Sequence, residues 1–150
     1  MAFSTYQETL QFTTNRRLEF LTITDEVEEA VKRSGIVQGI VVVQSHHTTA
    51  RLWVNENEKN LIGHPDLDKA DLHRILDRFA HPNENYGHND IKTPNNPKGK
   101  RDTHLCNTDG SCECINGHAH AQALLLPASV TMIVKNGTLL KGQWQEVMLV

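Results

Sequence analysis

Asn136-Gly137 is the feature that most limits what this chain can fold into. It lies between two apolar, β-branched stretches, Ser129 to Val134 and Thr138 to Lys141. A two-residue Asn-Gly link is the strongest short-range signal for a β-hairpin, because both residues tolerate the positive φ that such a turn requires. Antiparallel pairing is therefore expected here, and a last strand follows from Gln143 to Val150. Upstream, strands and helices alternate. Tyr6, Leu10 and Phe12 share one face of a period-2 pattern, and Leu18 to Ile23 reads as a second strand. Thr24 is placed to cap a helix opened by Asp25 and Glu26, with Val27, Ala30 and Val31 as its buried stripe and Ser34-Gly35 as its stop. Ile40 to Val43 is a continuous β-branched run, expected as a central strand covered on both faces. Ala50, Leu52 and Val54 alternate as a further strand.

Pro65 and the acidic residues after it open the most regular helical pattern, in which Leu72, Ile75, Leu76 and Phe79 fall at i, i+3, i+4 and i+7. From His81 to Gly117 periodicity collapses, and loops of that length in a small domain usually carry function or are disordered. Residues 119–126 fit either a short helix or a strand. The chain of 150 residues thus reads as one domain, 1–150, of α+β class: a mostly antiparallel or mixed sheet with two main helices.

Composition narrows the function classes. The formal charge of −3 gives no electrostatic footprint for nucleic acid or an anionic membrane. No apolar run approaches the roughly 20 residues of a spanning helix, and the start MAFSTYQETLQ lacks the features of a secretory leader. A cytoplasmic protein is expected. There are nine histidines, one more than Phe, Trp and Tyr combined, and three cysteines. An odd, crowded set at Cys106, Cys112 and Cys114 is a poor disulfide framework. With His104 and His118 it supplies ligands for a structural zinc, yet C-x5-C-x-C lacks paired C-x2-C knuckles, and free loop thiols remain the simpler reading.

Neutral imidazole is the commonest protein ligand for zinc and related metals, and three such ligands leave a position for water or substrate. His46-His47 follows a buried strand, His88 lies in YGHND, and His118-Ala-His120 closes the long loop. On a strand, His118 and His120 would point to one face. On a helix they stand about 200° apart and only one can join a site. If the strand from Ile40 runs on through His46-His47, those two rings also face opposite ways. Asn55-Glu56-Asn57 reads as an exposed turn or as a site in which Glu56 is a general base and Asn55 binds substrate. Thr48 and Thr49 suit a strand or a site equally, and His64, His73 and His81 read as solvated. No phosphate-binding glycine loop and no G-x-S-x-G nucleophile is present.

QSHHTTARLWVNENE, YGHND, NGHAHAQALLLPASVTMIV and NGTLLKGQWQEVMLV, in that order, resemble the YjbQ-like family, often labelled secondary thiamine-phosphate synthase enzymes. The resemblance covers nearly the whole chain. It implies an α+β homotrimer with a histidine metal site near the subunit interfaces and a small phosphorylated substrate. The recurrent family histidines fall on His47, His88 and His120, with His118 shared by only part of the family. Asn55 and Glu56 match the family's N-E-N, and Trp144-Gln145 its W-Q. The implied activity joins an aminopyrimidine diphosphate to a thiazole phosphate and releases pyrophosphate. It implies a divalent metal, zinc or another transition metal, or Mg²⁺ for the synthase step. Imidazoles select zinc, nickel, copper or iron over Mg²⁺, so a different metal-assisted hydrolysis or isomerisation, or non-catalytic ligand binding, stands beside it. Two departures are plain: Gln122 stands where a basic residue is frequent, and most members extend beyond the final strand.

Overall fold

The turn at Asn136-Gly137 forms as the sequence demands. In the computed structural model, which describes residues 3–64, 70–90 and 115–150, Asn136 and Gly137 have φ of 55° and 77°, the signature of a type I′ turn. It joins β4 (Ser129–Lys135) to β5 (Thr138–Leu139), paired Val134 to Leu139 and Lys135 to Thr138. On the other side of β4 lies β2 (Gln38–Gln44), in a register running from Gln38–Lys135 to Gln44–Ser129. A second three-stranded sheet has the order β1 (Leu21–Thr22), β6 (Gln145–Leu149), β3 (Leu52–Glu56). Every pairing among the described residues is antiparallel. The sheets are tied where β4 begins: Leu52 donates its N–H to the Pro127 carbonyl at 3.0 Å, and Ser45 to that of Ala128 at 2.9 Å.

Helix α1 (Thr24–Ser34) supplies the layer that covers them. Val27 and Val31, one turn apart, are buried with Ile23, Leu52, Met132, Val134, Leu139 and Val147 in a single core. Gly35, at φ 66°, ends the helix and returns its N–H to the Lys32 carbonyl, a left-handed cap that glycine adopts without strain. Thr24 does not cap. Ile23 occupies that position, and the buried Thr24 hydroxyl accepts the N–H of Val147 at 2.9 Å, fastening α1 to β6. A short α2 (Lys59–Ile62), absent from the sequence expectation, is capped by the Glu58 carboxylate, which accepts from the N–H groups of Asn60 and Leu61.

Three further expectations are corrected. Among the described residues the stretch Ile40–Val43 is not covered on both faces: β2 pairs there only with β4, and Ile40 and Val42 are 68% and 54% exposed. Residues 3–14 form no ladder, and the strand expected to start at Leu18 is reduced to Leu21–Thr22, the length over which β6 is available as a partner. In α3 (Asp71–Phe79) only Leu76 of the apolar stripe is fully buried, while Ile75 and Phe79 stand half open to solvent. The helix start proposed at Pro65, like His104 and the three cysteines, lies outside the described residues. Among the described residues no helix is long and apolar enough to cross a membrane.

Candidate functional site

The undecided segment after the long loop is helical: α4 (Gly117–Gln122), continued by a 3₁₀ turn, Ala123–Leu125. Its start is seated on another 3₁₀ turn, Gly87–Asn89, that carries His88. Gly117 donates its N–H to Asn89 Oδ1 at 2.9 Å. A Cβ at position 117 would fall 2.5 Å from Tyr86 Cβ, so this close approach needs glycine. Asn116 sits at the N-cap, yet its side chain makes no cap and meets His88 instead, Oδ1 to Nε2 at 3.1 Å. The Asn116 oxygen thereby orients the His88 ring and favours the tautomer with the proton on Nε2.

Helical geometry then separates His118 from His120. The His120 ring lies against His88, centroids 4.4 Å apart and planes at 65°. His118 turns inward, 8% exposed, with its ring 6.5 Å from that of Tyr86 and a buried Nδ1 that has no hydrogen-bond partner among the described residues. Burial holds its pKa below the ordinary histidine value, the nearby Arg17 cation adds to that, and Asp77 opposes it. One turn on, Gln122 also faces inward and donates to the Ala80 carbonyl at 3.0 Å, with Asp77 at 3.4 Å. Asp77 in turn takes both contacts of the Arg17 guanidinium, at 2.9 and 3.1 Å. One side of α4 is thus stitched to α3, and the other presents His120 to His88. Gln122, the departure from the family's basic residue, has a structural duty that sequence alone left unassigned.

The remaining candidates fall in two places. Strand pairing sets Glu56 opposite Gln145 and Asn55 opposite Glu146, so the N-E-N and W-Q motifs meet at one end of the β1–β6–β3 sheet. Gln145 Oε1 accepts the Gly142 N–H at 2.8 Å, Glu146 pairs with Lys141 at 3.1 Å, and Trp144 is 66% exposed. β2 ends at Gln44, so His46 and His47 lie past the strand, both exposed, with His47 opening a bend. There His47 Nδ1 accepts from the Thr49 hydroxyl at 3.0 Å and from its N–H at 3.3 Å, while Thr48 is exposed. His47, Thr49, Asn116 and His118 border one groove of ≈ 1830 Å³.

The structure therefore brings His88 to His120 and Glu56 to Gln145. Among the described residues no three His, Cys, Asp or Glu side chains form a group able to hold a metal. Sequence reasoning missed Asn116 and Asn89, the residues that seat His88 and α4. For Asn116 the signal was the Asn116-Gly117 pair at the end of the patternless stretch, which marks a turn before a helix. Of His64, His73 and His81, all read as solvated, His73 differs from expectation: it is half-buried, its Nε2 3.3 Å from the Leu18 carbonyl and its ring edge-on to Phe20.

Comparison with known proteins places the chain. The UPF0047 protein YjbQ-like family matches residues 8–150. The chain belongs to that family. A UPF0047 protein of Methanothermobacter thermautotrophicus is 30% identical over 142 residues, covering 95% of this chain and 79% of its own. Bacillus subtilis YugU is 31% identical over 140 residues, covering 93% and 84%. Among solved structures, a YbjQ-like protein of unknown function from Sulfolobus solfataricus superposes with a TM-score of 0.70 at 30% identity, over 93% of this chain and 80% of its own. A YjbQ/UPF0047 protein of Clostridium acetobutylicum gives 0.65 at 30%, over 92% and 84%. The YjbQ-like fold, α+β with antiparallel sheets, is shared with these proteins.

Proposed function

We propose that this YjbQ-like chain is a cytoplasmic metal-assisted enzyme acting on a small phosphorylated substrate, with His88 and His120 at its centre. The observation that carries the reading is their 4.4 Å ring contact, with His88 held by Asn116. A histidine fixed through one nitrogen by a carbonyl-type oxygen is the usual state of a metal-ligating ring. The donor chemistry fits zinc or another transition metal, and His47 is the third ligand of this reading, with His118 as the alternative. Glu56 moves the proton with Asn55 beside it, and Thr48, Thr49, Trp144 and Gln145 bind substrate. The activity is thiamine-phosphate synthase-like, joining an aminopyrimidine diphosphate to a thiazole phosphate with release of pyrophosphate. What a divalent ion supplies, when bound, is neutralisation of the charge developing on the leaving diphosphate. A second reading is favoured by the same imidazoles. They suit zinc better than Mg²⁺, which points to metal-assisted hydrolysis or isomerisation of a phosphorylated metabolite as the main reaction. The functional assembly in this proposal is a homotrimer, and sedimentation as a chain of 16.9 kDa would overturn that part.

The test is metal content and affinity of the purified protein and its variants. His88→Ala and His120→Ala should each remove most bound metal, and Asn116→Ala should weaken it roughly 10–100-fold. Glu56→Gln should abolish turnover while ligand affinity persists. Unchanged metal content in both histidine variants would sink the proposal.

A further inference from the structure

Asparagine followed by glycine occurs twice in the chain, at Asn116-Gly117 and Asn136-Gly137. The pair is chemically labile, because a glycine has no side chain to hinder its nitrogen from attacking the asparagine side-chain carbonyl. At residues 136–137 the hairpin turn calls for the pair. At residues 116–117 two separate contacts call for it: Asn116 Oδ1 meets His88 Nε2 at 3.1 Å, and a Cβ on residue 117 would strike Tyr86. Residues 86–89, which make the pair necessary, also hold both of its reacting groups. Asn89 Oδ1 takes the Gly117 N–H at 2.9 Å, while His88 holds the Asn116 amide oxygen. The backbone is turned away as well. Asn116 has ψ 24°, which sets the Gly117 nitrogen nearly opposite the Asn116 Cβ about the Cα–C bond, given the tetrahedral geometry at Cα. Ring closure needs that bond to rotate, and the rotation would lift α4 off Asn89. Gly117 is buried and Asn116 half-buried, whereas Asn136 is exposed.

We propose that Asn116 is a gated modification site: residues 86–89 block its deamidation while α4 is seated on them, and release of that seat opens it. In the open form the Gly117 nitrogen gives its proton to solvent and bonds to Asn116 Cγ, and the side-chain nitrogen leaves as ammonia. One water then splits the five-membered succinimide at either carbonyl, giving aspartate or isoaspartate. Water is the only co-reactant. Both products set a carboxylate where His88 had a neutral amide, and isoaspartate inserts one methylene into the backbone where α4 begins. A single opening is thereby recorded as permanent loss of the contact that orients His88. The inference holds with or without a metal at His88.

The test follows deamidation of the full chain at neutral pH, folded and in guanidinium chloride. Peptide mapping by mass reports the gain at each asparagine, isoaspartyl methyltransferase labels the iso product, and Asn136 serves as the internal reference. Asn116 should convert about tenfold or more slowly in the folded chain than in the denatured one, because its local opening must come first. Asn89→Ala, which removes one hydrogen bond, should raise the Asn116 rate about three- to tenfold and leave Asn136 unchanged. Asn89→Asp keeps an acceptor oxygen for Gly117 and should stay within about twofold of the parent. Equal Asn116 rates in the folded and denatured chains would overturn the proposal. So would an unchanged Asn116 rate in Asn89→Ala, or an equal rise at both asparagines, which would trace the reaction to unfolding of the whole chain rather than to release of this seat.

Discussion

In the β1–β6–β3 sheet the central strand β6 holds Val147 and Met148 wholly out of solvent, with Leu52 beside them on β3. In the β2–β4–β5 sheet the inner residues Met132, Val134 and Leu139 are equally buried, but Ile40, Val42 and Ile133 on the opposite face stand open. Both sheets are built from apolar, β-branched strands. What differs is the packing partner: α1 closes one side of each, and no described element covers the outer face of β2 and β4. Hydrophobic content makes a strand, and only a neighbouring element makes a buried face.

The sharpest way to break this comparison is to cut equivalent side chains from the two sheets. Leu52→Ala should cost about 2–5 kcal/mol, the transfer of a buried leucine plus the cavity it leaves. Ile40→Thr keeps β-branching on an exposed position and should stay within about 0.5 kcal/mol of the parent. Urea unfolding measures both. A loss at Ile40 as large as that at Leu52 would mean that the outer face is covered in the working protein.

A smaller effect separates a buried hydroxyl from an exposed one. Thr24→Val removes the acceptor of the buried Val147 N–H and should cost about 1–3 kcal/mol, the penalty of an unsatisfied donor. Thr131→Val, on the open face opposite Val42, should change stability by about 0.5 kcal/mol or less. Equal values for the two would show that α1 is not fastened to β6 through this contact.

The same contrast explains what could be read from sequence. The hairpin at Asn136-Gly137 and the stop of α1 at Gly35 were legible, because positive φ is a local demand that few residues meet. The stripe of α1 was legible because 3.6-residue periodicity needs no knowledge of the partner. The setting of β2 was not: a continuous apolar run looks the same in a strand covered twice and in an edge strand covered once. Residues 3–14 carry a fair strand pattern, yet a strand exists only where another edge accepts it. For the site, the list of candidate residues came from motif resemblance, while their grouping depends on register and helix phase. Glu56 meets Gln145 across 89 positions of chain through β3–β6 pairing, which no local pattern records. His118 and His120 part company because the segment is helical, and eight residues were too few to decide that in advance.

The smallest expected effect is a pH dependence at His73, which sequence reading left as a solvated residue. Its ring sits where α3 meets the stretch before β1, Nε2 near the Leu18 carbonyl, Nδ1 buried without a partner among the described residues. Burial lowers its pKa, and the Leu18 carbonyl and Asp77 pull the other way, while Arg17 and Arg16 reinforce the lowering. A histidine whose folded pKa is lowered binds its proton more readily in the unfolded chain. Its stabilising contribution is therefore complete above the unfolded value of about 6.5 and is lost as pH falls below it toward the folded value. Thermal midpoints should fall from pH 7 to pH 5. His73→Gln, which keeps a donor for Leu18 but cannot titrate, should make that fall shallower, leaving the share due to His118, whose pKa is also lowered. A slope identical to the parent's would show that the proton finds His73 as easily in the folded chain as in the unfolded one, and that this junction opens to water before the sheets do.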